Sequence, residues 1–202
     1  MKKSIRILSL IALIAIISLP LSSFAFPVKK NKQYKKMEEK KEKMNKKGAF
    51  AVIGMAVASE GRIDLGRNKA QADAQSKMAQ SKRSYVETTI HEFIESIGVG
   101  KGAENNDVYR QLTDVVSADI LKGARIYEFD YFQTKANKKE GTYTYIVLYV
   151  VTPKCTYQSI VNELKKEKGS EENLYQRYVD SEAQKKHDAK IAEFKKEFKI
   201  DE

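Results

Sequence analysis

The 202-residue sequence has one cysteine, two histidines and no tryptophan. A single thiol, Cys155, cannot close an internal disulfide, which excludes a small scaffold held together by disulfide bridges. Cys155 follows Pro153 at the end of an apolar run with no histidine near it in sequence, so it reads as an unreactive thiol rather than half of a Cys/His nucleophile pair. His91 and His187 stand far apart with no cysteine cluster between them, and that leaves no zinc-ligand spacing. His91 and Glu95 would share one helix face, but a useful metal site needs a third ligand, and His187 in its charged segment is a poor one. Gly98, Gly100 and Gly102 lack the glycine spacing and the Ser or Thr of a phosphate loop, and they follow a helical pattern instead of opening one. Glu128 and Asp130 carry no sign of a pocket around them, and no Gly-x-Ser-x-Gly elbow exists. The chain reads as non-enzymatic and without a cofactor, with a hydrolase using His91 and Glu95 as the remote alternative.

Residues 1–25 do carry a recognisable pattern. Lys2, Lys3 and Arg6 precede an apolar run from Ile7 to Leu19, followed by Pro20 and the small-residue site Ser23-Phe24-Ala25. This is the layout of a secretory signal peptide cleaved between Ala25 and Phe26. The run is shorter than the roughly 20 residues a membrane-spanning helix needs, which disfavours the rival reading, an uncleaved anchor. The expectation is an exported protein of the periplasm or cell envelope.

The net charge is +10, and its location decides what it means. Residues 29–47 hold ten lysines and three glutamates, while Gly48 onward holds 24 basic and 24 acidic residues. The folded part is therefore neutral, and nucleic acid is not an expected partner. Residues 26–47 contain few apolar side chains and read as a lysine-rich tether. Docking on anionic lipid or polysaccharide, and a frayed helix with Lys35/Glu39 and Glu39/Lys43 pairs, are the competing readings.

Residues 48–154 carry the expected core. Ala49 to Val57 is continuously apolar, as in a strand buried on both faces or central in a sheet, with Gly54 marking a bulge or a close backbone approach. From Arg67 to Ile97, Ala70, Ala74, Met78, Val86, Ile90 and Phe93 recur at helical spacing, the small residues first. A second helix is predicted over 107–122, with Gly123 closing it. Residues 125–134 and 142–151 then read as an antiparallel hairpin. Pairing Ile146, Leu148 and Val150 with Tyr127, Phe129 and Tyr131 on the helix-covered face leaves Tyr143, Tyr145 and Tyr149 outside. That tyrosine stripe is the candidate interaction surface, read as a subunit contact, a ligand-stacking platform, or a face covered by the C-terminal helices. Residues 155–202 form a charged helical tail with sparse one-sided apolar stripes such as Ile160/Leu164 and Phe194/Phe198. The fold class is α+β: a small, mostly antiparallel sheet in the order strand, long helix, second helix, β-hairpin, with a helical C-terminal extension.

Four segments, Ile53-Gly54-Met55-Ala56, the Ala70/Ala74 ladder, Val115-Val116 to Leu121-Lys122-Gly123-Ala124, and Tyr143-x-Tyr145-x-Val147, resemble the bacterial envelope lipoprotein family known as the LPP family. More distantly they are similar to the N-terminal domain of flagellar assembly protein T. The resemblance covers about residues 49–151 and implies a compact α+β envelope domain without known catalysis, some members belonging to flagellar or outer-membrane ring assemblies. This chain lacks the lipid-attachment cysteine and adds the charged C-terminal extension. Function is expected to run through protein association, with itself or with others, and peripheral membrane-surface contact is the alternative.

Overall fold

The computed structural model describes residues 28–98, 103–166 and 170–200. The leader with its Ala25/Phe26 junction, and the glycines Gly100 and Gly102, lie outside the described residues. The architecture is α+β. Its elements are α1 (Lys32–Lys46), β1 (Phe50–Ser59), α2 (Ile63–Ser96), α3 (Ala103–Asp119) with a 3-10 turn at Ile120–Gly123, β2 (Arg125–Phe132), α4 (Lys135–Glu140), β3 (Thr142–Val151), α5 (Pro153–Lys166), α6 (Ser170–Asp180) and α7 (Glu182–Phe198).

The strands form one antiparallel sheet in the order β1-β3-β2. β1 pairs with β3 without a break from Phe50↔Val151 to Ser59↔Thr142. The hairpin of β2 and β3 is present, and its polar linker folds into α4. There Thr134 and Asn137 make a capping box, and the buried Asn137 also bonds Thr142 and Thr144. β3 is the central strand, buried from Thr144 to Val151. β1 is an edge strand, and its continuous apolar run is explained by cover on both faces instead of by a central place.

On one face lies α2. A Cβ built on Gly54 would come within 2.0 Å of the Ala70 carbonyl oxygen, and one on Gly66 within 2.3 Å of the Tyr145 ring. These two glycines, with Ala70 and Ala74, let the helix sit almost on the strand backbones. Gly54 thus marks a close approach and not a bulge. The core of this layer joins Ala70, Ala74, Met78, Val86, Ile90 and Phe93 to Tyr145, Val147 and Tyr149, and extends over Leu112 and Val116 of α3, Ile120 of the 3-10 turn, Ile160 and Leu164 of α5 and Tyr178 of α6.

The opposite face corrects the tether expectation. Residues 32–46 are a helix, capped by the Asn31 side chain, which accepts from the N–H groups of Gln33 and Tyr34. Tyr34, Met37 and Met44 fall on one stripe and pack with Phe194, Phe198 and Ile200 against Ile53, Ile146, Leu148 and Val150. Met37 is 1% exposed and Met44 0%. Averaged over the segment the apolar residues are too few to fold, but gathered on one stripe and given a sheet to cover they suffice. Lys40 pairs with Glu128, and Lys47 pairs with Glu193 and Glu197. The expected tether and the expected tail therefore meet over one sheet face and share its core.

Candidate interaction surface

The two faces of β3 are reversed relative to the sequence reading: Tyr145 and Tyr149 face α2, and Ile146, Leu148 and Val150 face α1 and α7. Tyr145 is 1% exposed under Gly66, and Tyr149 is buried under α2, where its hydroxyl accepts from Gln75 Nε2 at 3.1 Å. Tyr143 alone of the three reaches the surface, half-buried, its hydroxyl donating to Glu60 Oε1 at 3.3 Å. The neighbouring Glu60 carboxylate raises the Tyr143 pKa, so this tyrosine stays neutral.

A bulge splits the aromatic set of β2 between the two faces. The β2/β3 register shifts between Ile126 and Glu128, so Tyr127 is an extra residue in β2. Tyr127 and Glu128 both turn toward α1 and α7: the Tyr127 hydroxyl donates to the Phe198 carbonyl at 2.7 Å, and Lys40 stands 5.3 Å from the Tyr127 ring centre. Beyond the bulge Phe129 and Tyr131 keep the α2 face expected of them, beside Tyr145. The result is an aromatic cluster missed by the sequence reading. Tyr131 lies 5.7 Å from both Tyr143 and Tyr145, Phe129 stacks on Tyr145 at 6.2 Å, and Arg67 caps the Phe129 ring at 5.7 Å. Tyr131 is 41% exposed, and the first turn of α2 adds exposed Ile63 and Leu65.

The two edges of the sheet are treated differently. On the outer edge of β1, Asn45 bonds both backbone groups of Ala51, Lys77 Nζ donates to the Ile53 carbonyl at 3.1 Å, and the Met55 N–H donates to Asp73 Oδ2 at 2.8 Å. These side chains take the place of a neighbouring strand. On the outer edge of β2 the Tyr131 N–H donates to the adjacent Asp130 side chain, and the Tyr131 carbonyl accepts from exposed Gln33 Nε2 at 3.3 Å. By alternation the backbone groups of Phe129 point the same way. Among the described residues no strand pairs with this edge.

The other candidate groups lie apart from this surface. His91 Nδ1 lies 3.3 Å from Glu95 Oε1, both exposed. Among the described residues no cluster of three His, Cys, Asp or Glu side chains is placed to hold a metal ion, and no helix is long and apolar enough to cross a membrane. Cys155 is half-buried against Gly123. His187 is a core residue, stacked on Tyr157 at 4.1 Å between ring centres and flanked by Phe93 and Tyr178. No family model, curated protein or solved structure matches the chain, so this surface is read from its own chemistry.

Proposed function

We propose that this is an exported, non-catalytic protein of the cell envelope that works by protein association, through the β2 edge and the aromatic cluster beside it. The observation that carries the reading is the contrast between the edges. An exposed edge strand is a template for another chain, and β1 is sealed against this at Ala51, Ile53 and Met55. On β2 the backbone groups of Tyr131 are held only by the side chain of its neighbour Asp130 and by exposed Gln33, contacts an incoming strand can displace, next to a half-exposed tyrosine pair of the type enriched in protein interfaces. A homo-oligomer, or a place in a flagellum-related assembly of the kind the family resemblance implies, would use such an edge for strand addition.

Light scattering on the chain from Phe26 onward, over about a hundredfold range of concentration, tests the association. A rise in mass that Tyr131→Lys abolishes is the expected outcome, because a charge on an edge strand blocks pairing. A monomer throughout, together with in-cell cross-linking from position 131 that captures no protein, overturns the reading. Export is checked separately by N-terminal sequencing of the envelope fraction, where Phe26 is expected and Met1 would refute it.

A further inference from the structure

Packing sorts the lysines of α1 into two sets. The side facing the sheet carries Tyr34, Met37 and Met44, and the flanking Lys40, Lys41 and Lys47 are each paired with a carboxylate. The opposite side carries Lys32, Lys35, Lys36, Lys43 and Lys46, all exposed and, among the described residues, without an ion-pair partner. Glu39 lies among them and Glu42 beside them, and exposed Lys29 and Lys30 extend the face at its N-terminal end. At 1.5 Å per residue this basic face is about 20 Å long. Because α1 is clamped to the sheet, the lysines form a fixed array instead of a mobile brush. Beside the array, Lys199, just after α7, borders a cleft with Lys36, Lys40, Lys43, Glu39 and Glu197, and Lys190 of α7 borders another with Lys46, Glu92 and Glu193, so the uncompensated charge is that of α1 itself.

We propose that this face docks the protein peripherally on an anionic lipid bilayer. Charge complementarity carries the choice. From Gly48 onward the sequence has 24 basic and 24 acidic residues, so the surplus of seven positive charges in 29–47 makes the molecule electrically one-sided. A one-sided body is oriented by a negative surface before contact. The chemistry of the face favours lipid headgroups over a polymer. The outward residues of α1 include no aromatic side chain on which a base or sugar would stack, and the array is a single convex helix face, not a groove that tracks a strand. Lipids diffuse laterally to meet any spacing of lysines, so a planar fluid surface matches a rigid row without further shaping. With no apolar residue pointing outward, attachment is electrostatic and reversed by salt.

The test is co-sedimentation of the chain from Phe26 onward, which contains both packed cores, with phosphatidylcholine vesicles holding about 30 mol % phosphatidylglycerol, against phosphatidylcholine alone. Binding is expected to the anionic vesicles only, and to disappear as salt rises from roughly 0.05 to 0.5 M. Replacing Lys32, Lys36 and Lys43 by Gln should weaken partitioning about fivefold per lysine, on the order of a hundredfold together. The matched triple Lys135→Gln, Lys138→Gln, Lys139→Gln on α4 should leave it unchanged, both variants showing wild-type circular dichroism. Equal effects of the two triples, or no preference for anionic vesicles, overturn the proposal. Retention on heparin at a salt concentration that frees the protein from vesicles also overturns it, assigning the face to polysaccharide. The association edge at Tyr131 is a separate surface, so either proposal can fail alone.

Discussion

His187 shows how far one residue's setting can differ from what its neighbours in sequence suggest. Within a helix rich in lysine and glutamate it is 4% exposed, enclosed by Tyr157, Phe93 and Tyr178, and its Nδ1 has no hydrogen-bond partner among the described residues. Burial lowers its pKa to about 4, assisted by Lys190 and opposed by Asp188. Glu92 is the acidic group on α2 that acts on the stacked Tyr157. The histidine is therefore neutral when folded, whereas in the unfolded chain it titrates near 6.5. Between those values the unfolded state binds more protons, so the contribution of this site is complete above about pH 6.5 and is lost as pH falls toward 4. The loss is on the order of 3 kcal/mol. His187→Phe, which keeps the stacking and removes the proton site, should flatten the fall in urea midpoint between neutral pH and pH 4.5 relative to wild type. Identical pH profiles for the two proteins would show that His187 is not the group responsible.

At the scale of elements, α1 separates composition from arrangement. Its lysines dominate any count, yet Met44→Ala is expected to destabilise the protein by about 2–5 kcal/mol, the range for a buried large-to-small change. Lys36→Gln on the exposed face should stay within about 0.5 kcal/mol. A denaturant midpoint unmoved by Met44→Ala would restore the tether reading. The elements legible in the sequence were those with a single strong period: α2 from its small-then-bulky stripe and the β2/β3 hairpin from its aromatic and β-branched runs; Gly54 was legible only as a bulge or a close approach, and its contact with Ala70 and Ala74 decides for the latter. The faces of β3 were not legible. Both of its alternating sets, Tyr145/Val147/Tyr149 and Ile146/Leu148/Val150, are apolar because both are buried, so a period of two cannot say which one α2 covers. The bulge at Tyr127 then sent that residue to the α1 and α7 side while Phe129 and Tyr131 kept the α2 side, and a bulge of this kind leaves no mark in the apolar pattern. Of the candidate surface, Tyr143 was found, Tyr131 was placed on the α2 side but not recognised as exposed, and Tyr145 and Tyr149 turned out to be core.

At the scale of the molecule, the boundary expected at residues 154/155 would make 155–202 an appendage. The packing argues for one cooperative unit. A three-stranded sheet with two apolar faces cannot stand in water uncovered, and its second face depends on segments from the two ends of the described chain: Tyr34, Met37 and Met44 from α1, Phe194 and Phe198 from α7. The first face also reaches Ile160 and Leu164 of α5. Removing 153–202 would expose Ile146, Leu148 and Val150 on one side and strip the end of the α2 layer on the other. It would also take away the two carboxylates that hold Lys47, weakening α1 in turn. The full chain from Phe26 should therefore unfold in a single urea transition that far-ultraviolet and near-ultraviolet circular dichroism report at the same midpoint. The fragment 26–152 should show no cooperative transition and should aggregate through the bared face of β3. A fragment that kept a sharp transition and its aromatic signal would establish 155–202 as a true tail and divide the molecule where composition alone divides it.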